Sequence, residues 1–127
     1  MEIRKSAEDY LEAMLMVKEQ YGYIRSIDVA EKLGVTKPSV SYATKLLREN
    51  GYVTMDHANM IVLTDAGSEI ATRIYTRHKV LTGFFEKLGV DPEIAREDAC
   101  KVEHDISMAT FEAIQRQLER MDAQPGD

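Results

Sequence analysis

The sequence predicts a mainly α-helical protein, an N-terminal winged helix-turn-helix followed by an all-helical domain. Three observations carry the fold. Apolar residues recur at helical spacing through most of the chain. That period gives way to two short β-type runs, YVTM (52–55) and MIVLT (60–64). Helix, helix, turn, helix, hairpin is the element order of a winged helix.

Each element has its own local reason. In SAEDYLEAMLMVKEQ (6–20) apolar residues stand at 7, 11, 14, 15 and 17, which predicts an amphipathic helix. Ser6 is its expected N-cap, and Gly22 punctuates its end. Ser26 is expected to cap a short helix over 27–33, closed by Gly34. Thr36 is expected to cap a third helix to about Asn50, with Pro38 in the first turn, where a missing N–H costs little. On it Val40, Leu46 and Leu47 should face the core, and Ala30 is small where the neighbouring helix crosses. DHAN (56–59) joins the two strands as a tight loop. Thr64 and Asp65 start a long helix to about Leu88, with Ile70, Ala71, Ile74, Val80, Leu81, Phe84 and Phe85 inward. Gly89 breaks it, Asp91-Pro92 opens a helix over 92–105, and Ser107 opens the last, to about Met121. The domains expected are 1–72 and 73–121, with a disordered tail over 122–127.

The bulk numbers exclude several function classes. A chain of 127 residues, 44% hydrophobic and 30% charged, is an ordinary globular composition. No stretch approaches the roughly 20 apolar residues of a membrane span, and MEIRKSAEDY lacks the apolar core of a signal peptide. One cysteine forms no intramolecular disulfide, which fits a reducing compartment; the cytoplasm is the expectation. A net charge of −6 argues against a general polyanion binder. Yet from Lys32 to Arg48 the only charged residues are Lys32, Lys37, Lys45 and Arg48, a local +4 that can meet a phosphate backbone.

That basic stretch coincides with the second helix of the helix-turn-helix. Thr36, Lys37, Pro38, Ser39, Ser41, Tyr42 and Lys45 are left outward there, at its N-terminal half. A recognition helix reads the major groove from that half and clamps phosphate with Lys, Ser and Thr. The same scaffold can serve protein contact, but outward Ser, Tyr and Lys favour double-stranded DNA. The hairpin tip, with Asp56, His57 and Asn59, is not a basic wing.

Cys100, Glu103 and His104 stand at i, i+3 and i+4, so on a helix they share one face. Asp9 and Glu12 are i, i+3 on the first helix, and His78 lies on the long one. Carboxylate, imidazole and thiolate on three helices suit a divalent transition metal. Spacing alone leaves the bland reading open, with solvated acids, an ion-paired His78 and a small core cysteine. A metal enzyme would need a nucleophile and a substrate cleft, and neither is readable, so no small organic substrate is expected.

The chain resembles the metal-dependent repressors of the diphtheria toxin repressor family, especially the short manganese-transport-regulator branch. The stretches that carry this are EDYLEAM, VAEKLGVTKPSVSYATKLLRENGYV, VLTDAG, RHKVL and CKVEHDIS, in that order. The resemblance implies a metal-activated homodimeric repressor of metal-uptake genes. It puts metal ligands at Asp9, Glu12, His78, Glu103 and His104. The manganese branch has Glu where Cys100 stands; the iron branch has Cys there but Met where Asp9 stands. This chain combines the two, which implies Mn²⁺ or Fe²⁺ as activator, with Zn²⁺ or Co²⁺ also binding. A first ion is expected on Asp9, Cys100, Glu103 and His104, and a weaker second on Glu12, His78 and Glu103. The iron branch's ancillary site is not reproduced by Thr82, Arg96 and Glu97, and the larger members' SH3-like domain is not expected at this length.

The last helix carries the dimer expectation. Phe111, Ile114, Leu118 and Met121 repeat at 3, 4 and 3, a seam too apolar to leave in water. Phe84 and Phe85 are expected to join it. A two-fold dimer would set two recognition helices about one turn of DNA apart.

Overall fold

In the computed structural model, which describes residues 5–123, six helices and one hairpin follow in the order α1 (Lys5–Tyr21), α2 (Ser26–Leu33), α3 (Lys37–Glu49), β1 (Val53–Met55), β2 (Ile61–Leu63), α4 (Asp65–Lys87), α5 (Pro92–Val102) and α6 (Met108–Ala123). The chain divides into two compact units, 1–73 and 74–127.

The first unit is built on one apolar cluster. The helical spacing of α1 puts Leu11, Met14 and Val17 on one face, all at 1% exposure or less. Val29 and Ala30 of α2, Val40 and Leu47 of α3, and Val53, Ile61 and Leu63 of the hairpin close over them. Burying a Leu or Val side chain contributes about 1.5–3 kcal/mol, so this face outweighs the local propensities of three short helices. The hairpin is antiparallel, with Val53 opposite Leu63 and Met55 opposite Ile61. The Ile61 amide also donates to the Ile24 carbonyl at 2.9 Å, which joins the α1–α2 connection to the hairpin. The alternating pattern of the strands gave no sign of that third participant.

Two capping expectations change, and one core expectation. Ser6 lies inside α1. Ser26 is the first residue of α2, and Arg25 takes the cap position without a side-chain cap bond. Arg25 instead reaches Asp28 in the first turn, Nε to Oδ2 at 2.9 Å. Leu46, expected in the core, is 40% exposed. The inward positions of α3 are Val40, Thr44 and Leu47; Leu46 lies one turn beyond Tyr42 on the outward face, since i and i+4 align.

In the second unit, Ile74 and Leu81 of α4, Ala95 and Ala99 of α5 and Phe111 of α6 are buried. Gly89 takes φ +99, the left-handed conformation that ends α4 without a Cβ penalty. Asp91 caps α5 by accepting from the Glu93 amide at 3.1 Å, and Ser107 caps α6 by accepting from the Thr110 amide at 3.1 Å. α5 ends at Val102 rather than 105, and Glu103 to Ser107 form the turn into α6. α6 runs to Ala123, so Asp122 and Ala123 are helical rather than tail. Residues 124–127 of the expected disordered tail lie outside the described residues. Among the described residues, no helix is long and apolar enough to cross a membrane.

Candidate metal centre and nucleic-acid interface

α3 presents a polar face because its start is fixed by its own side chains. Thr36 Oγ1 accepts from the Ser39 amide at 3.2 Å and lies 2.9 Å from Ser39 Oγ. Pro38 sits in the first turn, where its ring suits the helix. This leaves Thr36, Lys37, Pro38, Ser39, Ser41, Tyr42 and Lys45 all exposed, Tyr42 at 66%. The hydroxyls of Thr36 and Ser39 hold each other, so they shape the helix start before they can contact anything else. The hairpin tip is held the same way: Asp56 Oδ1 accepts from the amides of Ala58 at 2.8 Å and Met60 at 3.0 Å. Those bonds hold the Asp56 carboxyl below its usual range.

The second unit brings together three side chains of types that can hold a metal. Nδ1 of His78, on α4, lies 3.0 Å from Oε2 of Glu103 and 3.7 Å from Sγ of Cys100. Ligand atoms of the three all lie within 4.8 Å of one another. Glu103 is fully buried, His78 half-buried and Cys100 exposed. The elements explain the grouping. Cys100 is on the last turn of α5, and Glu103 is the C-cap residue, still with helical dihedrals, so it stays beside Cys100. His104 follows in the turn, its Nε2 3.4 Å from the other carboxylate oxygen of Glu103. Glu103 thus has an imidazole at each oxygen. The hydrogen bonds with Cys100 and then Glu103 push the His78 imidazolium up to about 10, against the opposing effect of burial.

Residues 2–59 match the iron-dependent repressor N-terminal DNA-binding domain, and residues 64–127 match the iron-dependent repressor metal-binding and dimerisation domain. The chain belongs to the iron-dependent repressor family. Transcriptional regulator MntR of Salmonella typhimurium is 36% identical over 110 residues, 87% of this chain and 70% of that protein. The HTH-type transcriptional regulator MntR of Bacillus subtilis is 35% identical over 109 residues, 86% of this chain and 77% of that protein. Among solved structures, the metal-dependent transcriptional regulator MtsR superposes with a TM-score of 0.80 at 28% identity, covering 89% of this chain and 53% of that one. A manganese-dependent transcriptional repressor in complex with manganese gives 0.78 at 29%, covering 89% and 52%. The chain spans about half the length of these solved structures.

The family implies a metal, and the residues present fit one. Glu103 Oε1 is buried and accepts no hydrogen bond of good geometry among the described residues. His78 serves one oxygen of this buried carboxylate, but Oε1, with His104 Nε2 at 3.4 Å, keeps an acceptor position that a metal ion could fill. Nitrogen, sulfur and oxygen donors around it suit a divalent transition ion. The thiol lies beside His78, the residue the sequence assigned to a second ion, so sulfur and imidazole share one side of Glu103. Asp9 and Glu12 are on α1 in the first unit, one turn apart, Glu12 buried at 6% and Asp9 partly so. Their neighbour Glu8 pairs with Arg73 at 3.1 Å.

The seam residues divide. Phe111 is buried in its own chain, its ring 5.2 Å from the Arg77 guanidinium carbon, so little of it is left for a partner. Phe84, Phe85, Ile114 and Leu118 are half-buried, while Leu88 is 61% exposed and was not anticipated. Arg77 was also missed. It stands at i+3 from Ile74 and i−4 from Leu81, on the inward stripe of α4, and a basic residue on that stripe was the signal available.

Proposed function

We propose that the chain is a metal-activated, homodimeric transcriptional repressor that binds operator DNA and controls metal-ion uptake genes. The observation that carries this is the His78–Cys100–Glu103 cluster, in a unit matched by the metal-binding and dimerisation domain, following a matched DNA-binding domain. His78, Cys100, Glu103 and His104 would hold the ion, and Asp9 and Glu12 would add hard oxygen donors, as the resemblance implies. When bound, the ion would supply a fixed divalent charge, which His78 would face as a neutral imidazole and Glu103 as a carboxylate. Mn²⁺ or Fe²⁺ is the activator, and Zn²⁺ or Co²⁺ also binds; a relative's structure with bound Zn²⁺ supports a permissive donor set.

The α3 face, with Thr36, Lys37, Pro38, Ser39, Ser41, Tyr42 and Lys45, would meet the major groove. Phe84, Phe85, Ile114 and Leu118 would meet a second copy. Metal and operator favour the same state of the dimer, a reciprocal coupling of about 1–3 kcal/mol. A reducing cytoplasm suits a thiol ligand. The test is elemental analysis of protein purified without chelator, with a metal titration of operator binding. Tighter DNA binding on adding Mn²⁺ or Fe²⁺, reversed by chelator, is expected. DNA binding indifferent to every divalent ion sinks the proposal.

A further inference from the structure

Arg77 is a cation at 8% exposure, and its hydrogen bonds go to neutral groups. Nη1 donates to the carbonyls of Glu103 and Ile106, both at 3.1 Å. Nη2 lies 4.0 Å from the Met108 sulfur, and the guanidinium sits over the Phe111 ring. A buried charge is costly without compensation. Here the compensation comes from two turn carbonyls, of which that of Glu103, the C-cap, belongs to the end of α5. The last carbonyls of a helix lack intrahelical partners and carry its negative dipole end, so a guanidinium stabilises them.

We infer that Arg77 is the positioning residue of the metal centre: it clasps the Glu103–Ile106 turn, holds Glu103 against His78, and ties that turn to the start of α6. The inference rests on the metal reading above. The two carbonyls that Nη1 grips open and close the short turn carrying Glu103 and His104. The other side of the same guanidinium packs on Met108 and Phe111, at the start of α6. Shifting the turn therefore shifts both the ligands and the first turn of α6. Lysine keeps the charge, but its point-like ammonium lacks the planar fork that spans these groups.

The experiment compares wild type and Arg77→Lys dimers loaded anaerobically with Co²⁺, whose visible absorption reports ligand number and symmetry. Removing support from a metal ligand typically weakens affinity about 10- to 100-fold. Arg77→Lys is expected to stay folded by circular dichroism, lose Co²⁺ affinity in that range and change the absorption spectrum. Equal affinity with an unchanged spectrum in Arg77→Lys overturns the role of Arg77 and leaves the metal reading standing. No Co²⁺ binding by wild type overturns both. Should Arg77→Lys not fold, nitrogen-15 resonances of the Arg77 guanidinium in wild type decide: Zn²⁺ must shift them, and unshifted resonances overturn the inference.

Discussion

The sulfur of Cys100 lies 3.7 Å from Nδ1 of His78, so the protein's one thiol faces the nitrogen that also meets Glu103 at 3.0 Å. Sulfur is a soft donor and prefers Fe²⁺, Co²⁺ or Zn²⁺ to Mn²⁺. Cys100→Glu should therefore move the ranking of activating metals toward Mn²⁺ and raise the number of ions bound per subunit, because a carboxylate bridges two hard ions. The check is anaerobic metal-dependent operator binding by both proteins, with metal counted by elemental analysis. The same ranking and the same stoichiometry in both would show that Cys100 only fills space.

The α3 face makes separable predictions for charge and for sequence reading. Lys45 is exposed and has no base-reading fork, so Lys45→Ala should weaken binding to all DNA sequences alike and lower the salt slope by about 1. Tyr42, two-thirds exposed, presents a ring and a hydroxyl, so Tyr42→Ala should also change sequence preference, by about 1–3 kcal/mol at the contacted base pair. Fluorescence anisotropy on operator and scrambled duplexes across a salt series separates the two. Wild-type behaviour from both variants would remove α3 from the interface.

Elements governed by periodicity and punctuation were legible in the sequence. The α1 stripe, the Thr36 cap of α3 and the Gly89 stop of α4 follow from residue type and spacing, and the structure has all three. What spacing missed has local causes in some places and distant partners in others. Arg25 prefers the nearby Asp28 carboxylate, which displaces Ser26 from the cap position. Leu46 was placed inward on hydrophobicity, but the helix phase set by Val40, Thr44 and Leu47 turns it out. In the candidate site, Cys100, Glu103 and His104 were grouped as one helix face, yet α5 ends at Val102 and the grouping survives only because Glu103 keeps helical dihedrals. The pairing of Cys100 with His78 crosses two helices, so no local pattern could reveal it.

The hairpin tip predicts a pH response. Backbone amides of Met60 and Ala58 hold the Asp56 carboxyl below its ordinary 3.8. A depressed folded value means the bonds stabilise the tip fully above the unfolded value and lose that effect as pH falls through the folded one. The tip should therefore loosen on acidification at a pH below the ordinary 3.8 of an aspartate. Carbon-13 detection of the Asp56 carboxyl, with the Ala58 and Met60 amide shifts followed in parallel, checks this. A midpoint at or above 3.8 contradicts the geometry.

Gly67 and Gly83 lie on the same helix and should respond oppositely to alanine. Replacing an interior helical glycine with alanine stabilises by up to about 1 kcal/mol when the space is open. At Gly83 the added Cβ would meet only Leu118 Cδ2, at 3.7 Å, an ordinary contact. At Gly67 it would run into the backbone carbonyl of Tyr52. That carbonyl cannot swing aside. It accepts from the Thr64 amide at 3.1 Å, while the Thr64 hydroxyl donates to the Gly51 carbonyl at 2.7 Å and accepts from the Gly67 amide at 3.2 Å. The start of α4 is thus locked to the chain entering β1, and only hydrogen at position 67 fits. Overpacking of this kind costs about 1–3 kcal/mol, which outweighs the propensity gain. Urea unfolding should show Gly67→Ala destabilised by that amount and Gly83→Ala unchanged or more stable. A Gly67→Ala protein as stable as wild type would mean that the approach of α4 to Tyr52 is looser than the structure has it.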